Sequence, residues 1–128
     1  MKELEVGLTG TFQEVVLPEK TAAHIQSGSV NVYATPMMIA LMEKAACNAL
    51  ENVLTPEETT VGTSVDIKHL APTPINMKVK ATAKLKCIDN RRLTFEIVVE
   101  DEVEKIGEGL HERVVVNKEK FHAKSNKR

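Results

Sequence analysis

Cysteine is scarce in this chain. Cys47 and Cys87 are its two thiols, with no paired spacing and no zinc-type pattern, so neither a disulfide framework nor a cysteine metal site organises the fold. A reduced, cytoplasmic protein is expected, with no metal and no cofactor. Neither sign of charge dominates. Lys+Arg 17 stands against Asp+Glu 18, which argues against binding nucleic acid or membrane through bulk charge. The opening MKELEVGLTG lacks the apolar segment of a secretion signal, and no run is long enough to span a bilayer. The lysine-rich stretch 78–86 has no aromatic residues interleaved with it, so it reads as a solvated sheet face and not as a nucleic-acid patch. No internal repeat and no second domain are visible.

What is present is the composition of one globular domain, 42% hydrophobic and 27% charged over 128 residues, enough to bury a real core. Residues 1–117 read as that domain. Residues 118–128, with five basic residues and one acidic, read as a frayed polar tail. The most informative stretch is Val32–Leu54. Thr35 is placed to cap a helix, with Pro36 at its first position, so the pattern predicts a helix Pro36–Leu54. From Met37 to Met42 it is apolar all round, as an enclosed helix should be. Farther along, Lys44, Asn48, Glu51 and Asn52 gather on one side at roughly 100° per residue. Glu43 points roughly 120° from that stripe, into the apolar sector. A carboxylate there is costly to bury without a partner. Either it meets a structural partner at the core edge or it is placed for chemistry.

Around the helix the pattern is one of strands. Residues 3–16 carry Val6, Leu8 and Phe12 at even positions, with Gly7 and Gly10 permitting a bend. Thr21–Val32 reads as a short helical turn and a loop, placed as a lid over the helix start. Residues 59–70 place Val61, Thr63, Val65, Ile67 and His69 on one face. His69 ends that apolar face just before Ala71-Pro72-Thr73-Pro74. It is either a satisfied rim histidine or a partner for Glu43. Ile75–Cys87 alternates apolar and polar residues, which predicts an antiparallel sheet covered on one side. Asp89-Asn90-Arg91 signals a hairpin. The next strand turns Leu93, Phe95, Ile97 and Val99 inward, and a last strand runs from Ile106 to Val116 with His111, Arg113 and Val115 on one face. The order predicts an α+β domain, a curled antiparallel sheet wrapped around one long central helix.

The motifs Ala34-Thr35-Pro36, Leu41-Met42-Glu43-Lys44-Ala45, Val61-Gly62, Ile67-Lys68-His69-Leu70-Ala71-Pro72 and Gly109-Leu110-His111-Glu112-Arg113 resemble those of a hotdog-fold thioesterase. Specifically, they resemble the fluoroacetyl-CoA thioesterase-like family, over about Gly10 to Phe121. The resemblance implies that Thr35, Glu43 and His69 are catalytic. It also implies that Gly62, through its backbone, and Arg113 help hold an acyl-CoA substrate. A homodimer with sites at the subunit interface is implied too, with a higher homo-oligomer open. The chemistry is coherent, because helix N–H donors can stabilise an oxyanion and Glu43 can attack or activate water. The family's fluoroacetyl-specific member carries phenylalanines in its lid, and residues 25–32 here carry no aromatic. That difference implies a small or medium acyl-CoA other than fluoroacetyl-CoA. Two other readings belong to the same fold, since fold alone does not choose function. One is a noncatalytic acyl-CoA-binding protein. The other is a dehydratase, for which no second motif at the expected spacing is present.

Overall fold

A computed structural model describes residues 4–128. Strand β1 (Thr9–Val15) leads through a short helical turn, α1 (Ala22–Ile25), to the central helix α2 (Thr35–Leu50). Strands β2 (Glu58–His69), β3 (Lys78–Asp89), β4 (Arg92–Asp101) and β5 (Lys105–Asn117) follow, and helix α3 (Lys118–Asn126) closes the chain. The five strands form one antiparallel sheet in the order β1-β3-β4-β5-β2, which leaves β1 and β2 at its edges. Among the described residues no helix is long and apolar enough to cross a membrane.

Helix α2 seats itself on the sheet through Met38, Leu41, Met42, Ala45, Ala46, Ala49 and Leu50, all buried and spaced as one helical face. Opposite lie Val79, Ala81, Ala83 and Leu85 of β3 and Leu93, Phe95, Ile97 and Val99 of β4. Alanines on both sides let the helix come close. At Gly10 the approach is closer still: any β-carbon there would run into the backbone of Ala45 and Ala49.

Several expectations are corrected. The helix ends at Leu50, and Glu51–Leu54 continues as tightened turns bonded back to Asn48 and Leu50. Weak helix formers and the oncoming Pro56 explain the stop. The start of α2 is not enclosed in the single chain, because Thr35 and Pro36 are exposed and Met37, Ile39 and Ala40 are half-buried. The expected strand 3–16 begins only at Thr9, after Gly7 turns the chain at φ 101°; its first residue, Glu3, lies outside the described residues. Residues 118–126 are a helix and not a frayed tail. The Asn117 side chain caps it by accepting from the Lys120 N–H at 2.9 Å. Finally, two bulges break the alternation read from the sequence. One between Gly62 and Ser64 turns Val61 off the inner face and puts Thr60 and Gly62 on the same side as His69. The other, between Leu85 and Cys87, leaves Cys87 exposed.

Candidate active site

The entry to α2 is firmly tied. Tyr33 N–H donates to the Thr73 carbonyl at 2.8 Å, and Ala34 N–H to the Lys20 carbonyl at 3.0 Å. The buried Tyr33 hydroxyl donates to Glu14 at 2.5 Å, and Lys20 completes that cluster at 2.9 Å. Ala34, and not Thr35, occupies the N-cap, without a side-chain cap bond. Thr35 is the first helical residue, so its hydroxyl is free for another partner, and its N–H has none within the helix.

That partner is His69. Thr35 Oγ1 and His69 Nδ1 lie 2.7 Å apart, joining the helix start to the last residue of β2. His69 Nε2 is buried without a hydrogen-bond partner. Burial lowers the pKa of His69 below the usual value, opposed by a weaker pull from the Ala71 backbone, so at neutral pH the ring is an uncharged imidazole. The pair opens on a cavity of about 340 Å³, lined among others by Ser27, Val32, Tyr33 and Pro72. The expected lid segment therefore borders the site, and its residues 25–32 bring no aromatic side chain to it.

Glu43 lies elsewhere. Eight residues beyond Thr35 on α2, it is displaced by about 12 Å along the helix axis at 1.5 Å per residue. It faces a second groove of about 580 Å³ with Phe12, Ala40, Cys47 and Arg113. Its carboxylate accepts from Arg113 Nη1 at 3.4 Å and is 42% exposed. Gly62 lies against it: a β-carbon at position 62 would stand 2.9 Å from Glu43 Oε2. Arg113 is buried, donating from Nε to Thr60 Oγ1 at 2.8 Å, from Nη2 to the Thr60 carbonyl at 3.1 Å and from Nη1 to His111 Nε2 at 3.0 Å.

The single chain thus joins Thr35 to His69, and Glu43 to Gly62 and Arg113, but does not join the two groups. Sequence reasoning assigned no role to Thr60, His111 or Tyr33. His111 and Arg113 alternate on one strand face, which is visible in the sequence, whereas the bulge conceals Thr60.

A curled antiparallel sheet around one long helix is the hotdog fold, and the relatives that share it here are thioester hydrolases. The chain belongs to the family of fluoroacetyl-CoA-specific thioesterases, FlK, whose profile matches residues 16–119. It is 39% identical to the fluoroacetyl-CoA thioesterase of Streptantibioticus cattleyicolor over 127 residues, covering 94% of this chain and 91% of that one. A solved structure of FlK superposes with a TM-score of 0.93 at 36% identity, covering 99% and 98% of the two chains. A Thermus thermophilus thioesterase superfamily member superposes at 0.91 with 29% identity, covering 99% and 94%.

Proposed function

We propose that this acyl-CoA thioesterase hydrolyses a short acyl-CoA with its carbonyl at the N-terminus of α2, using Thr35, His69 and Glu43. The observation that carries the reading is the 2.7 Å Thr35–His69 pair at the mouth of the cavity. There the Thr35 N–H and the positive end of the helix polarise the carbonyl oxygen and stabilise the developing oxyanion. Neutral His69 accepts at Nδ1 from the Thr35 hydroxyl, which holds that hydroxyl beside the reacting carbon. The Glu43 carboxylate takes the proton of the attacking water. Collapse of the tetrahedral intermediate breaks the C–S bond and releases CoA as a thiolate, with the acyl group leaving as the free acid. Gly62 leaves room for the carboxylate, and Arg113 orients it as well as lining the groove that receives the acyl-CoA.

About 12 Å of helix separates Thr35 from Glu43, too far for one small acyl group to touch both within a single chain. The reading therefore includes a homodimer in which the partner subunit's Glu43 completes the Thr35–His69 corner. The half-buried start of α2 and the edge position of β2 supply surface for such an association. Pairing of dimers into a larger homo-oligomer is compatible with it. A cytoplasmic setting suits the two free thiols.

The relatives restore fluoroacetyl-CoA as a candidate substrate despite the missing lid aromatics. FlK variants have been solved with acetyl-CoA, and with fluoroacetate and CoA. The test is a panel of acetyl-, fluoroacetyl-, butyryl- and octanoyl-CoA with detection of released thiol, run beside light scattering at micromolar protein. Turnover of the two-carbon thioesters by a dimer is expected. Turnover by a stable monomer would rule out the shared site.

A further inference from the structure

His111 is 1% exposed, and the mechanism above makes no use of it. Its Nδ1 lies 2.8 Å from the Ser64 carbonyl oxygen. A carbonyl only accepts, so Nδ1 carries the hydrogen. Its Nε2 lies 3.0 Å from Arg113 Nη1. A guanidinium only donates, so Nε2 is the acceptor and the ring is a neutral Nδ1–H imidazole. Arg113 is then held from three directions, by Thr60 Oγ1, the Thr60 carbonyl and His111. The same Nη1 also reaches Glu43.

We propose that His111 is a positioning residue for hydrolysis: its neutral imidazole steers the Arg113 guanidinium that holds the Glu43 carboxylate, and protonation of Nε2 releases that hold. The proposal rests on the reading of Glu43 as catalytic. Protonation would replace an acceptor with a second donor aimed at a cation, so a bond is lost and two positive charges meet. The charged groups acting on His111 are Arg113 on its own strand and Glu43 on α2. β2 presents the Ser64 carbonyl and the Thr60 hydroxyl, and β4 places Phe95 directly opposite. Burial lowers the pKa of His111 below the usual 6.5. The Ser64 carbonyl opposes this, Arg113 reinforces it, Glu43 opposes it, and the net shift is downward.

The test compares His111→Gln, whose amide oxygen can accept from Nη1 without titrating, with His111→Leu, which cannot accept. Each is assayed for kcat and KM between about pH 5 and 8.5 on the fastest substrate of the panel, with Glu43→Gln alongside. Histidine-labelled protein gives the tautomer by NMR. The expected result is a tenfold or greater fall in kcat for His111→Leu at pH 8, with KM changed less than twofold. His111→Gln should recover most of kcat and carry the acid limb of kcat to lower pH, and the NMR should show Nδ1–H. An Nε2–H tautomer would overturn the proposal. So would wild-type kcat and an unmoved acid limb in both variants while Glu43→Gln is inactive, a result that leaves the Glu43 reading intact. Full activity of Glu43→Gln would remove the underlying reading and this proposal with it. If His111→Leu does not fold, the pH profile of His111→Gln and the tautomer decide.

Discussion

At the start of α2 the hydroxyl of an exposed threonine meets one nitrogen of a histidine, and the other nitrogen has no partner. Two turns farther on, a buried arginine makes hydrogen bonds to Thr60, His111 and Glu43. The first corner keeps hydrogen-bonding capacity in reserve beside a cavity. The second has little left to give and exposes only its carboxylate. Unsatisfied polar groups at a cavity suit a ligand that will satisfy them, because leaving them unpaired is otherwise costly. A satisfied network suits a support that must not move. On the proposed mechanism, the open corner is the one that contacts the thioester and the closed one orients the base.

Glu43→Gln breaks the comparison most severely. It keeps the size of the side chain and removes its basicity, so kcat should fall at least ~10²-fold, the low end for a positioned acid–base group. Binding of a nonhydrolysable acyl-CoA and the Tm should change little, since a half-exposed ion pair contributes little to stability. Unchanged hydrolysis with a large drop in Tm would make Glu43 structural. A smaller effect concerns the lid. Without aromatics in residues 25–32, kcat/KM for fluoroacetyl-CoA over acetyl-CoA should differ by about 1–3 kcal/mol at most. A many-thousandfold preference measured by competition would show that another element confers selectivity.

Thr35→Val sharpens the open corner. It deletes one hydrogen bond of about 0.5–1.5 kcal/mol and should reduce kcat by about tenfold while leaving the fold intact by circular dichroism. The smallest effect is on stability against pH. His69 and His111 both have folded pKa values below 6.5, so the unfolded chain binds more protons in that window. Their contribution is complete above about pH 6.5 and declines as pH falls through it. Tm should therefore drop between about pH 7 and 5, and less so in His111→Gln. A Tm that rises on acidification would contradict both shifts.

Much of this was legible from local pattern. The buried stripe of α2 and the inward set Leu93, Phe95, Ile97 and Val99 follow from periodicity, and both are buried. Glu43 and His69 stood out because each breaks an apolar face. The bulges were not legible, because an extra residue in one strand is decided by the partner strand. That is why alternation alone puts Val61 and Cys87 on the wrong side. Nor could spacing reveal that Thr35 bonds to His69 and not to its own helix, or that Thr60 supports Arg113 across the sheet. The first exists only once α2 has docked beside the end of β2, and the second only once β2 and β5 are in register.

The irregularity at Thr63 has a consequence for insertions and deletions. Strand β2 serves two sites with one alternating backbone, and the single surplus residue acts as a phase shift between them. Upstream, Thr60 and Gly62 face the arginine; downstream, Ile67 and His69 face the helix start. Deleting Thr63 would restore strict alternation and leave Thr60, Gly62, Ile67 and His69 on one side, so the strand would lose its kink without either half turning over. Adding one residue between Ser64 and His69 would instead turn His69 away from Thr35, so on that side of the bulge the count of residues is under tighter constraint than their identity.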